Sequence, residues 1–297
     1  MVVPVGINIW SRLVEQTFTY LDQVIAAPFD ALWFPDHVQY ANNRVAEGWS
    51  LLAFALARYP DKLCGHEVLC NSFRNPAHLA KMAATMQALS GGRLVLGIGA
   101  GWNAEEYAAY GWPFPSARTR IAQLEEAIQV IRAMWTTAPA NFQGQHYQLV
   151  NAYCEPRPNP LPPIMVGGIG EQYLLRVVAQ HADWWNYVYS DLPTYAHKQQ
   201  VLMAHCKTVG RDYDAIQQAV VVRVLLAETE AELNTLKSQP YVRPLEGGLA
   251  GTPDQIIDAI LPIIRQGADR LSINFADAPN PNGTLLFAER VLPFLSR

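Results

Sequence analysis

The chain has 297 residues, 50% of them hydrophobic and 16% charged, with a formal net charge of −4. That balance supports a large core and excludes a disordered chain, and no run of Lys or Arg marks a nucleic-acid footprint or an affinity for anionic membranes. The opening Met1 to Ile7 lacks the charged and apolar regions of a signal peptide, and no apolar stretch is long enough to span a bilayer. Cys64, Cys70, Cys154 and Cys206 form neither a CxxC pair nor a disulfide framework, so a reduced, cytoplasmic protein is expected.

Val2 to Ile9 alternates and then runs apolar, which predicts a first strand with Asn8 and Trp10 at its C-terminal end. Residues 12–27 read as a helix buried along Leu13, Phe18, Leu21 and Ile25. Ala31 to Phe34 is a second strand that delivers Pro35-Asp36-His37 into a loop. A helix over 48–59 leads to a third strand over 62–69, interrupted by Glu67. Asn75-Pro76 predicts an N-cap with proline in the first turn, and Leu79, Met82, Ala83 and Met86 form the expected inward stripe.

Leu94 to Ile98 is a short buried strand that runs into Gly97, Gly99 and Gly101, where the missing Cβ lets backbone approach a ligand. Asn103 takes the next N-cap position, with Glu105 and Glu106 in the first turn. The second part of this helix carries the stripe Ile121, Leu124, Ile128, Ile131 and Trp135. Residues 137–163, with Pro139, Pro156, Pro158, Pro160, Pro162 and Pro163 and little periodicity, predict an excursion across the surface. Strands over 164–166, 183–188, 217–227 and 270–275 follow. Between and after them come helices over 171–181 and 192–209, one from the Thr252-Pro253-Asp254-Gln255 capping box to Gly267, and one over 283–295.

Eight strands, each followed by a helix, predict an α/β fold: a (β/α)8 TIM barrel as one domain over 1–297, with 137–163 inserted after the fourth helix. A doubly wound open sheet is the alternative. In a barrel the reactive groups sit on the loops at the C-terminal strand ends. Asn8, Asp36, His37, Glu67, Val68, Leu69, Cys70, Gly99, Ala100, Gly101, Trp102, Asn103, Gly167, Gly168, Ile169, Gly170, Glu171 and Asn186 are therefore expected to converge.

Among these, His37 is the proton-transfer candidate, because an imidazole serves as acid or base near neutral pH. Asp36 either orients that ring or joins it in tethering a loop. Glu105 suits the positive end of the helix dipole, which leaves Glu106 as a second acid. Glu67 either points into the barrel mouth or marks a bulge. Gly167-Gly168-Ile169-Gly170 before a helix makes a phosphate cradle. Trp10, Trp33, Trp102, Trp184 and Trp185 fall near strand ends, as walls of a slot for a flat ring or as ordinary core. No lysine at a strand end, no HxH or HExxH and no GxSxG appears, which thins out Schiff-base, metal-hydrolase and serine acyl-transfer chemistry. A cofactor-dependent enzyme without a metal remains.

Several stretches resemble the luciferase-like monooxygenase superfamily: Pro35-Asp36-His37, Ser72 to Met82, Leu89 to Asn103, Pro162 to Gly170, and Ala182 to Asn186. The Gly99-Ala100-Gly101-Trp102 and Ser72-Phe73-Arg74-Asn75-Pro76 spellings are most similar to the probable coenzyme F420-dependent oxidoreductases. The resemblance implies a (β/α)8 barrel, usually a homodimer, that holds F420 or a flavin. It places the cofactor phosphate at Gly167–Glu171 and the ring between the end of strand three and Gly99–Asn103, backed by a non-prolyl cis peptide near Glu67–Val68. It makes His37 the proton donor or acceptor and Glu106 a recurring acid. Glu67 departs from the family pattern, in which an apolar or small residue is usual; a carboxylate there disfavours an anionic reduced cofactor. The expected activity is hydride transfer between F420 and a small organic substrate. The alternatives are an FMN-dependent monooxygenase served by a partner reductase and a barrel that only binds a flavin-like ligand. The 38–47 loop, the 137–163 excursion and the 238–251 segment are the expected walls of the substrate pocket.

Overall fold

The computed structural model describes residues 3–9, 14–40 and 45–295. Trp10 and Leu13, named above, lie outside the described residues, as do residues 41–44 of the 38–47 loop. In chain order the first elements are β1 (Val5–Asn8), α1 (Val14–Val24), β2 (Ala31–Phe34), α2 (Gly48–Arg58), β3 (Leu63–His66), β4 (Leu69–Cys70), α3 (Pro76–Ser90) and β5 (Leu94–Gly99). Then come α4 (Ala104–Ala109), α5 (Ala117–Thr136), β6 (Ala140–Gln143), β7 (Gln148–Ala152), β8 (Ile164–Gly167), α6 (Leu174–His181), β9 (Trp184–Val188) and α7 (Leu192–Val209). The chain continues through β10 (Gln217–Leu226), α8 (Glu230–Lys237), β11 (Leu249–Gly251), α9 (Pro253–Arg265), β12 (Arg270–Phe275) and α10 (Asn282–Arg290).

Eight parallel strands close on themselves in the order β1, β2, β3, β5, β8, β9, β10, β12 and back to β1. The expected (β/α)8 barrel is therefore present, and the open sheet is ruled out by the β12–β1 pairing. Side chains alternate across each strand. Ile7, Leu32, Phe34, Leu96, Ile98 and Val166 point out under the helices and are all but fully buried. Each such burial is worth roughly 1.5–3 kcal/mol, so this outer layer drives the closure. Inside, Trp33, Val95, Met165, Trp184 and Ala219 fill the lower barrel. Gly6 and Gly65 make room for Trp33, since a Cβ at either position would stand 2.4 or 2.8 Å from its ring.

Several local expectations are corrected. Strand three does not run unbroken over 62–69: it stops at His66, and β4 resumes beside β5 with Leu69 opposite Ile98. The α3 stripe is displaced, because Ala80, Ala84 and Gln87 are buried while Met82 and Met86 are half-buried. The small alanines let α5 come close, and the Trp135 indole N–H donates to the Ala80 carbonyl at 2.9 Å. Residues 137–163 contain an antiparallel hairpin, β6 with β7. Its turn is held by Glu126 of α5, which accepts backbone N–H bonds from Gln145, His146 and Tyr147. Elements α8 and β11 were not expected. Among the described residues no helix is long and apolar enough to cross a membrane.

Gly97 faces the break in strand three, and a Cβ there would stand 1.8 Å from the His66 carbonyl oxygen, a backbone atom that cannot swing away. Gly97→Ala is expected to lose at least about 2 kcal/mol of stability. Urea denaturation checks this, and an unchanged midpoint would contradict the close approach.

Candidate active site

At the break, the Glu67–Val68 peptide is cis. The Val68 side chain lies across the top of the barrel between two glycines: a Cβ at Gly99 or at Gly167 would stand 2.8 Å from its Cγ2. Gly101, at φ +76°, leaves room for the Tyr107 hydroxyl and the Cys70 thiol, which lie 3.1 Å apart. Above this floor is a cavity of about 400 Å³, within the size range of small-molecule sites. Asp36, His37, Glu67, Val68, Cys70, Gly99, Ala100, Gly101, Trp102, Asn103, Glu106, Gly167, Gly168, Gly170 and Asn186 all line it. Residues drawn from the C-terminal parts of five strands and the segments after them thus converge as the barrel geometry requires.

Glu67 follows the alternation of strand three and turns inward. Its Oε2 accepts from Asn8 Nδ2 at 2.7 Å and Ser272 Oγ at 2.6 Å, and its Oε1 accepts from Asn186 Nδ2 at 3.2 Å. Burial pushes its carboxyl up to about 7, against the pull of those donors and of Arg270. Both readings of Glu67 hold: the side chain points inward, and strand three gains one residue on β5 between the Gly65–Val95 and Leu69–Ile98 pairs.

His37 and Glu106 meet at the side of the cavity, with Nδ1 2.6 Å from Oε1. The Glu106 carboxylate is buried and also accepts from Asn103 Nδ2 at 2.6 Å and from the Val38 backbone N–H at 3.0 Å. Asn103 stands at the N-cap of α4 as expected, but its amide serves Glu106 rather than capping the helix. The expected Asp36–His37 pairing is not what forms. Asp36 accepts both guanidinium nitrogens of Arg74, at 2.8 and 2.9 Å, and the Cys70 backbone N–H at 2.8 Å. A carboxylate gripped by a bidentate arginine anchors the loop, and the acid that orients the imidazole comes from another strand end.

The Gly167–Gly170 loop borders the cavity, and at Gly168 (φ +135°) a Cβ would collide with Leu174 at 2.0 Å. Helix α6 begins just beyond it with no side chain capping its N-terminus. The Arg118 guanidinium, 5.6 Å from the Tyr173 ring, places a cation at the same end. Two residues expected here point elsewhere. Ile169 is solvent-exposed, and the Glu171 carboxylate is drawn toward α7 by Lys198 at 2.6 Å and His197 at 3.0 Å. Of the described tryptophans only Trp102 lines the cavity. Trp33 and Trp184 fill the barrel below, and Trp185 faces outward with its indole N–H on the Gly168 carbonyl at 2.9 Å.

Helix positions on α4 and α5 supply walls that sequence reasoning missed: Tyr107, Ala117, Arg120 and Ile121, joined by Phe73, Leu174 and Val188. No residue of 137–163 or 238–251 lines this cavity. Ser272 was also missed, although the polar–apolar alternation Leu271-Ser272-Ile273-Asn274-Phe275 marks it as inward-facing.

A luciferase-like monooxygenase family model matches residues 26–245. The chain belongs to that family. Among curated relatives of this family member, an F420-dependent glucose-6-phosphate dehydrogenase of Amycolatopsis mediterranei (strain U-32) is 36% identical over 157 residues, 52% of this chain and 46% of the relative. Pyrimidine monooxygenase RutA of Acinetobacter baylyi is 33% identical over 192 residues, 63% of this chain and 50% of the relative. The chain spans about half the length of the curated relatives it matches. A solved F420-dependent secondary alcohol dehydrogenase, in complex with an F420-acetone adduct, superposes over 100% of both chains with a TM-score of 0.85 at 18% identity. The F420-dependent tetrahydromethanopterin reductase of Methanopyrus kandleri does so over 100% of both chains at 0.83 and 18%. These two likenesses confirm the fold. F420 is the cofactor named for the two dehydrogenases and the reductase, whereas a solved type II Baeyer-Villiger monooxygenase, with a TM-score of 0.77 at 17% identity, is in complex with FMN.

The Glu67 carboxyl titrates near 7 in the folded chain against an ordinary 4.5, so the folded state holds the extra proton between those values. Stability from this group is fully present below about pH 4.5 and is lost as pH rises through 7. Relative to wild type, Glu67→Gln is therefore expected to gain up to about 3 kcal/mol between pH 5 and pH 8. Urea denaturation at both pH values measures it, and a pH-independent difference would contradict the buried, raised carboxyl.

Proposed function

We propose that this chain is an F420-dependent oxidoreductase that moves a hydride between the deazaflavin and a small organic substrate, with His37 handling the paired proton. The observation that carries this reading is the His37–Glu106 pair beside a cavity whose floor and wall are cut open by glycines. F420-dependent glucose-6-phosphate dehydrogenases of three organisms, at 34–36% identity, support the choice of cofactor. When bound, the deazaflavin supplies a two-electron hydride carrier.

The chain's own residues do the rest. Gly167, Gly168 and Gly170, with the uncapped start of α6, present backbone to the cofactor phosphate. Val68 and Gly99 would back the ring, and Gly101 and Trp102 would flank it. Glu106, which also accepts from Asn103 and Val38, favours the imidazole tautomer protonated on Nδ1. Proton exchange with the substrate then falls to Nε2. Asp36, locked by Arg74, keeps the loop that carries His37 from drifting.

A second reading, FMN-dependent oxygenation with a partner reductase, is favoured by the RutA match, which spans more of this chain than the dehydrogenase match does.

His37→Ala is expected to lower turnover by roughly 10²–10⁴-fold while cofactor affinity stays within about threefold, as loss of a general acid or base predicts. Glu106→Gln keeps the contact but removes the charge, and its turnover is expected to fall less, by about 10–100-fold. Steady-state kinetics and cofactor titration check both. Loss of binding in His37→Ala with turnover per bound cofactor intact would overturn the role given to His37.

A further inference from the structure

Among the described acids that line the cavity, Glu67 is the one that neither His37 nor the Arg74 latch uses. It lines the cavity, one residue from the Val68 side chain that the ring would rest against. Its partners come from three other strands: Asn8 of β1, Asn186 of β9 and Ser272 of β12. None of them carries charge. Asn8 can only donate, because its Oδ1 accepts from Asn274 Nδ2 at 2.6 Å. Ser272 is different, since a hydroxyl can donate to a carboxylate or turn and accept from a carboxylic acid. The cluster can therefore hold Glu67 in either protonation state by rotating one hydroxyl.

The charged groups around it leave the balance open. On β12, Arg270 lies two residues from Ser272, but its guanidinium is paired with Asp30 and stacked 4.8 Å from the Trp184 ring. On Glu67's own strand, His66 points the other way and stacks on Trp49 of α2, 5.8 Å between ring centroids. No cation touches the Glu67 carboxylate among the described residues. A negative charge arriving above it would be met by a like charge in a medium that screens poorly.

We propose that Glu67 is a proton-linked positioning residue: when an anionic tricyclic ring settles on the Glu67–Val68 peptide, this carboxylate takes up one proton from solvent and Ser272 turns to accept it. Without such a ring Glu67 is ionised at alkaline pH and held by its three donors. The carboxyl's elevated position near neutrality makes that uptake accessible at physiological pH. The residue acts through the charge of the floor, not by contact with the substrate, and it makes cofactor affinity depend on pH. This inference rests on the reading that the cavity holds a deazaflavin or flavin ring.

The test uses the intact protein with reduced F420 and, separately, reduced FMN as probes. Calorimetric titration at pH 8 in two buffers of different ionisation enthalpy gives the protons taken up on binding. Wild type is expected to take up close to one proton more than Glu67→Gln. Its affinity for the reduced probe is expected to fall by up to about tenfold per pH unit above pH 7, relative to the variant. A second readout needs no variant: the Glu67 side-chain ¹³C shift in wild type should titrate near neutrality in the apoprotein and move to the neutral-acid position when the reduced probe is added. Equal proton uptake by the two proteins, or a shift that titrates at ordinary carboxylate pH, would overturn the proposal and leave the cofactor assignment standing. Failure of both probes to bind either protein would overturn the cofactor reading and this inference with it.

Discussion

The site depends on one packing constraint: the Val68 side chain occupies the space that a Cβ would need at Gly99 and at Gly167. Strand three must leave the barrel wall to bring Val68 there, and β4 then rejoins the sheet beside β5. Each of the three strand ends is thereby fixed by the other two. Gly97, directly against the His66 carbonyl, seals the same junction one layer lower. The result is a flat apolar floor at the barrel mouth that no side chain on β5 or β8 interrupts.

Around that floor, three carboxylates are separated by their surroundings into three kinds of work. Asp36, gripped by Arg74 and the Cys70 N–H, is a structural anion. Glu106 is also buried, but its partners include an imidazole, so it sets the orientation of a group that can exchange protons. Glu67 has only neutral donors and lies deep enough that burial outweighs them. The distinction comes from what each carboxylate faces: a bidentate guanidinium, a histidine, or amides and a hydroxyl.

The barrel itself was legible because its signals are periodic and repeated: short apolar strands, glycine at their ends and amphipathic helices between them. The strand ends therefore named most of the cavity floor in advance. What escaped was set by tertiary partners. Nothing local says that His37 pairs with Glu106, 69 residues on, while its neighbour Asp36 turns to Arg74. Glu171 looked like part of the glycine cradle, yet Lys198 and His197 on α7 draw it away. The walls from Tyr107 to Ile121 were hidden because their positions read as ordinary helix. Two misses had local signals. Thr229-Glu230-Ala231-Glu232 is a capping box that announces α8, and the alternation through Ser272 and Asn274 pointed inward. The hairpin in 137–163 was obscured by its prolines and by the few residues in each strand.

Whether the cavity is built for a hydride carrier or for an oxygen-activating flavin is answered most directly by a fluorescence-quench titration of the apoprotein with F420 and, separately, with FMN. Hydride chemistry on this site predicts micromolar or tighter binding of F420 and much weaker binding of FMN. Tighter binding of FMN than of F420 would contradict it and move the site to oxygen chemistry with a reductase partner.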